Sequence, residues 1–222
     1  MTHEPVSISR ITPCLLLGNL AASYSIPNLM RYSITAIVSL GIKPCPEWSR
    51  PANRKIVPEK NHLFITCNDS PNEDLLCHFS DICDFIDKQT AKPDFHAILE
   101  RAEEDSLLLA HGGRHGGKHP VRTTTASLEP GKVLVHCTMG VSRSPAVVIA
   151  YLMCKERRGL GEVLQEVGSK RPCIGPWNFM DQLRIWEEVE YEVWEDRERS
   201  VAKEPYRRWL DGVKGPGRRS SC

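Results

Sequence analysis

Gly131-Lys-Val-Leu-Val-His-Cys-Thr-Met-Gly-Val-Ser-Arg-Ser-Pro-Ala146 is the stretch that decides how this chain folds. Val133-Leu134-Val135 reads as a short buried strand. From Ser144 the apolar residues Ala146, Val147, Ile149, Ala150, Leu152 and Met153 run as a helix to about Arg158, which Gly159 is expected to close. Cys137 opens the loop between strand and helix, and Arg143 ends it. A tight loop in this position can point successive backbone N–H groups into one concavity, and the helix's first turn adds its unpaired N–H groups. Such a cup holds a dianionic phosphate without side-chain charge. A cysteine at its base lies in a field that favours thiolate over thiol. A guanidinium at Arg143 can fork across two phosphate oxygens. Gly140 supplies backbone freedom, and Pro145 opens the helix where no N–H is needed.

Upstream, Leu15-Leu16-Leu17-Gly18 ends one strand, and Pro27 suits the first turn of a helical segment, Asn28–Tyr32. Ile34, Ala36, Ile37, Val38 and Leu40 form a nearly continuous apolar run bounded by Gly41, as a strand covered on both faces requires. The stretch 43–53, with Pro44, Pro46 and Pro51, reads as loop. His62 to Cys67 is a further strand, stopped by the turn-forming Asn68-Asp69-Ser70-Pro71. Leu75, Leu76, Phe79, Ile82, Cys83 and Ile86 recur at helical spacing, with the start near Asn72 or Glu73.

Over 89–130 the pattern fades into a surface insertion, with a short possible helix at Phe95–Leu109. His111, His115 and His119 follow at metal-like spacing, but four interleaved glycines make a helix there unfavourable, so a solvated loop is the expectation. Beyond the key stretch, Val163, Leu164 and Val167 mark a second helix. A third starts near Asn178 and sets Leu183, Trp186, Val189 and Val193 on one face.

The composition bounds the function. The chain has 222 residues, is 41% hydrophobic and 26% charged, and carries 29 Lys+Arg against 28 Asp+Glu, a net charge of +1. That suits a soluble domain with a real core and argues against a nucleic-acid binder working through bulk positive charge. The longest clearly apolar stretch, Ala146 to Cys154, is too short for a bilayer core of ~30 Å, so no membrane insertion is expected. Nine cysteines without CxxC pairs and without a leader sequence read as reduced thiols in the cytoplasm, the nucleus or both. The basic residues Arg207, Arg208, Lys214, Arg218 and Arg219 read as a solvated end.

His136-Cys137-x5-Arg143-Ser144 resembles the signature of the cysteine-dependent protein tyrosine phosphatases. Ser142-Arg143-Ser144-Pro145 followed by Ala150-Tyr151-Leu152-Met153 resembles their dual-specificity branch. Ile11-x3-Leu15-x2-Gly18-Asn19, Ile34-Thr35-x-Ile37-Val38, the Phe85-Ile86 helix and Phe179-x2-Gln182-Leu183 fit the same branch, over roughly 7–88 and 131–190. The resemblance implies an α/β fold: a central mixed, largely parallel sheet flanked by helices on both faces, with the phosphate-binding loop between strand and helix. The domain would span 7–195, interrupted at about 89–130, with a polar C-terminal tail over 196–222.

The activity implied is hydrolysis of phosphotyrosine and phosphoserine/phosphothreonine in proteins through a phosphocysteine intermediate, without cofactor or metal. Cys137 would be the nucleophile. Arg143 and the loop residues Thr138, Met139, Gly140, Val141 and Ser142 would bind phosphate, and Ser144 would donate to the departing thiolate. His136 would support the loop. Asp69 would be the general acid, with Asp74 the fallback. Phosphoproteins are the expected partners. The loop's uncharged side chains disfavour phosphoinositides, whose extra phosphates the wider family meets with lysines.

Two features depart from the branch. Pro176-Trp177-Asn178-Phe179 is one residue shorter than its usual loop, and 89–130 is either a genuine insertion or a retained intron. Cys67 could protect Cys137 as a disulfide, although a core thiol is the simpler reading. A catalytically weak phosphoprotein-binding module and a sulfurtransferase are the competing functions.

Overall fold

The computed structural model describes residues 5–91 and 129–214. Five strands form one sheet in the order β1-β2-β5-β3-β4: β1 is Ile8–Arg10, β2 Leu15–Gly18, β3 Ala36–Gly41, β4 His62–Thr66 and β5 Val133–His136. β1 and β2 are antiparallel, and every other pair is parallel. β5 lies in the middle, with Leu134 opposite both Leu16 and Ile37. The expected mixed, largely parallel sheet is therefore present.

The side chains alternate as a sheet covered on both faces demands. Leu15, Leu17, Ala36, Val38, Leu40, Val133 and Val135 enter the larger core. Leu16, Ile37 and Leu134 enter the smaller one, with Leu29, Ile34 and Val57. The smaller layer is built by α1 (Leu20–Tyr24), α2 (Ile26–Arg31) and α3 (Pro51–Ile56). The larger holds α4 (Phe79–Thr90), α5 (Arg143–Glu156), α6 (Leu160–Lys170) and α7 (Met180–Glu188). α5 is buried at every position from Arg143 to Met153, which explains why its sequence is apolar all round.

Several boundaries differ from the sequence reading. The proline-rich stretch is helical: a 3-10 turn covers Pro46–Ser49 and α3 follows, because Pro46 and Pro51 each sit in a first turn where the missing N–H costs nothing. α4 begins at Phe79 after a 3-10 turn at Leu76–His78. The N–H groups of Leu75 and Leu76 both donate to Gln182 Oε1, at 3.0 and 2.8 Å, so a side chain from α7 caps this entry. α5 ends at Arg157 in the left-handed conformation (φ 54°), and Gly159 instead caps the start of α6. Beyond α7, Glu190 and Tyr191 turn left-handed, so Val193 reaches the core from outside the helix.

The tail reading also needs correction. Residues 204–214 form α8 (Glu204–Lys214), and Tyr206 and Leu210 are buried against the larger core. Tyr206 stands edge-on to Trp194 and donates through its hydroxyl to Asp74 Oδ2 at 2.8 Å. Arg207 and Arg208 do face outward, paired with Glu204. The short helix read at 95–109 and the histidines at 111, 115 and 119 lie outside the described residues. Among the described residues no helix is long and apolar enough to cross a membrane.

Candidate active site

The loop after β5 is shaped by what its carbonyls find. Thr138 O accepts from Leu20 N at 3.0 Å, and Val141 O from Gly175 N at 2.7 Å. Gly140 O and Met139 O accept from Arg171, through Nε at 2.9 Å and Nη2 at 3.5 Å. A planar trans peptide sets the next residue's N–H opposite to its C=O, and the described backbone has no cis bonds. Four carbonyls turned outward therefore turn the N–H groups of residues 139 to 142 inward. Gly140 N shows the result, donating to Cys137 Sγ at 3.2 Å. Gly140 itself sits at φ 71°, and a Cβ there would lie 2.5 Å from Gly18 O, so only glycine fits.

Cys137 lies at the base of this cup and is buried. Burial opposes its ionisation. The Ser144 hydroxyl (3.3 Å from Sγ), the Ser144 amide, the Arg143 charge and the Gly140 amide outweigh burial and hold the thiol below its ordinary range. Cys67 is the contrast: equally buried, it is pushed up to about 12 by desolvation, so it stays a thiol near neutrality.

Arg143 spans the cup from the first turn of α5. Its Nη1 donates to Cys67 O at 3.1 Å and its Nη2 to Thr138 Oγ1 at 3.0 Å. Its buried Nε has no hydrogen-bond partner among the described residues. A buried guanidinium N–H left open is costly, and an oxyanion in the cup would satisfy it.

Asp69 closes the rim. Its Oδ1 accepts from Ser142 Oγ at 2.6 Å and Asn178 Nδ2 at 3.0 Å, while Oδ2 lies 3.8 Å from Arg143 Nε. Both donors thus fall on one oxygen, and the other is left toward Arg143. Asp74, the alternative acid, is buried and taken up by Cys77 N and the Tyr206 hydroxyl, and it does not line the cavity. The structure thus gathers Cys137, Arg143, Asp69, Ser144, His136 and the 138–142 loop, and leaves Asp74 aside. The cavity beside Cys137, about 400 Å³, is walled by Leu20, Leu40, Ile42, Pro46, Trp48 and Phe64.

The sequence reading did not single out Arg171 or the Asn178 contact. Arg171 is only 3% exposed and also reaches Ser9 Oγ at 3.3 Å. Nothing in its local sequence marks it, since its partners come from distant elements. Among the described residues no group of three or more His, Cys, Asp or Glu is placed to hold a metal.

A parallel-stranded α/β sheet with a thiol-based anion cup beyond its central strand defines the class of the cysteine-dependent phosphatases. Residues 123–189 match the family model for the dual specificity phosphatase catalytic domain. The chain is 28% identical over 201 residues to dual specificity protein phosphatase 22-B of Danio rerio, covering 90% of this chain and 82% of that one. It is 29% identical over 183 residues to dual specificity protein phosphatase MPK-4 of Drosophila melanogaster, covering 82% and 36%. The fold superposes on the Yvh1 phosphatase domain from Chaetomium thermophilum with a TM-score of 0.60 at 26% identity, over 82% of this chain and 96% of that one. In sequence and in fold the chain is thus similar to the dual-specificity branch of the cysteine-dependent protein tyrosine phosphatases. It spans about a third of the length of some curated relatives, MPK-4 and the Schizosaccharomyces pombe yvh1 among them.

Proposed function

We propose that this chain is a dual-specificity protein phosphatase, hydrolysing phosphotyrosine and phosphoserine/phosphothreonine in phosphoproteins. The observation that carries this reading is the pairing of a stabilised Cys137 thiolate with the open Nε of Arg143 across a cup of inward N–H groups. Cys137 Sγ attacks phosphorus, and the bond from phosphorus to the substrate oxygen breaks. Asp69 gives its proton to that oxygen, and Arg143 with the loop amides holds the three equatorial oxygens. In the second step water attacks phosphorus, Asp69 takes the water proton, and sulfur leaves as a thiolate that Ser144 stabilises. The chemistry calls for neither metal nor cofactor.

We take the phosphatase domain to run from about residue 7 through α8, with an insertion at about 89–130. We further propose that it acts on phosphoproteins rather than nucleic acid, without inserting into a membrane, in the cytoplasm, the nucleus or both.

Turnover of para-nitrophenyl phosphate, vanadate binding and phosphopeptide hydrolysis test the reading together. Cys137→Ser is expected to abolish turnover while vanadate still raises Tm. Asp69→Asn is expected to slow substrates with poor leaving groups by about 10²-fold or more, and Asp74→Asn to leave the leaving-group dependence unchanged. Surviving turnover in Cys137→Ser would refute the nucleophile. Binding without turnover by the unaltered protein would make it a phosphoprotein-binding module instead.

A further inference from the structure

Behind the cup, a line of side chains crosses three strands on the face of the smaller core. Arg54 Nη1 lies 3.2 Å from His62 Nδ1, and His62 Nε2 lies 2.7 Å from Ser39 Oγ. Ser39 Oγ lies 2.6 Å from His136 Nε2, and His136 Nδ1 lies 3.2 Å from the carbonyl oxygen of Cys137. The residues come from α3, β4, β3 and β5. Trp48 covers them, its ring centroid 4.6 Å from His62 and 5.6 Å from His136.

Proton counting gives the line one direction. Both rings are neutral at ordinary pH, because burial pushes His62 down to about 4 and His136 to about 3. Each neutral ring therefore has one N–H and one lone pair. A guanidinium only donates, so His62 Nδ1 must accept from Arg54, which puts the His62 proton on Nε2. That proton goes to Ser39 Oγ, so the single Ser39 hydroxyl proton is free to go to His136 Nε2. His136 must then carry its own proton on Nδ1, where it meets the Cys137 carbonyl. No other assignment satisfies both ends.

We propose that Arg54, His62 and Ser39 are positioning residues that lock His136 in its Nδ1–H form, so that it holds the Cys137 carbonyl outward and the Thr138 N–H inward. His136 thereby does for the first peptide of the loop what Leu20, Arg171 and Gly175 do for the next four. In the opposite form a lone pair would face the carbonyl oxygen, the peptide would be repelled, and the cup would lose one amide. The charged and titratable groups around His136 are Arg143 and Cys137 from the loop and α5, His62 from the edge strand β4, and Arg54 from α3. The role in catalysis rests on the phosphatase reading, but the tautomer does not.

The test has an arm for each. Nitrogen-15 NMR of the histidine rings in the unaltered protein is expected to show His136 protonated at Nδ1 and His62 at Nε2; either ring in the opposite form overturns the proposal. Ser39→Ala and His62→Phe are then compared with Ser39→Thr, which keeps the hydroxyl. The first two are expected to raise the pKa that governs alkylation of Cys137 by iodoacetamide and to weaken vanadate binding about tenfold, the worth of one buried hydrogen bond. Ser39→Thr is expected to restore both. A fall in Tm with alkylation and vanadate binding unchanged would reduce the line to a structural one and overturn the proposal. Should the unaltered protein show the tautomers and the alkylation shift but no turnover, the phosphatase reading fails while the line stands.

Discussion

Burial alone makes a thiol a worse acid, as Cys67 shows at the end of β4. Cys137 escapes that fate because a hydroxyl, backbone amides and a guanidinium are each aimed at one sulfur. The two histidines behind it show the same physics with the sign reversed, since burial disfavours their charged forms. Their ordinary value is near 6.5, so between that pH and about 4 the unfolded chain binds more protons than the folded one. Stability therefore falls as pH falls through this window, by up to about 1.4 kcal/mol per pH unit for each ring. The urea midpoint is expected to drop from pH 7 to pH 5, and His62→Phe to flatten that drop. An unchanged slope in His62→Phe would mean that the ring titrates normally in the fold.

At the scale of elements, α8 carries a direct test of where the folded body stops. Tyr206 is fully buried, and its hydroxyl is a donor to the buried Asp74 carboxylate. Tyr206→Phe removes that donor and is expected to cost about 1–3 kcal/mol, read as a lower urea midpoint; a solvated tail would show no change. The helix was legible in part, because Tyr206, Trp209, Leu210 and Val213 keep helical spacing among their charged neighbours. Net polarity of the segment hid it. The strands were easier, since a parallel sheet covered on both faces leaves short, largely apolar runs such as Ala36–Val38 and Val133–Val135. The proline-rich stretch misled because proline opens helices as readily as it breaks them. At the site, Cys137, Arg143 and Ser144 are local in sequence and were readable as a loop. Arg171, Asn178 and the Ser39–His62 pair were not, because only the strand order and the packing of loop against loop bring them near Cys137.

For the molecule as a whole, the two ends that flank 92–128 already touch. A Cβ on Gly131 would lie 2.1 Å from Gln89 O, and Lys132 exchanges hydrogen bonds with Thr35 through both its N–H and its carbonyl. Replacing 92–128 by a short Gly/Ser linker is therefore expected to leave a folded protein whose Tm still rises with vanadate. An insoluble or unfolded product would show that the segment belongs to the core. The sheet order has one more consequence. β5 is flanked on both sides, and the loop it carries is gripped by β2's following helix and by the turn after α6. The amide hydrogens of that strand have no frayed edge through which to reach solvent, so they are expected to exchange among the slowest in the protein. The sulfur's surroundings are thus expected to melt with the protein rather than ahead of it, and whatever reactivity they confer to last as long as the fold does.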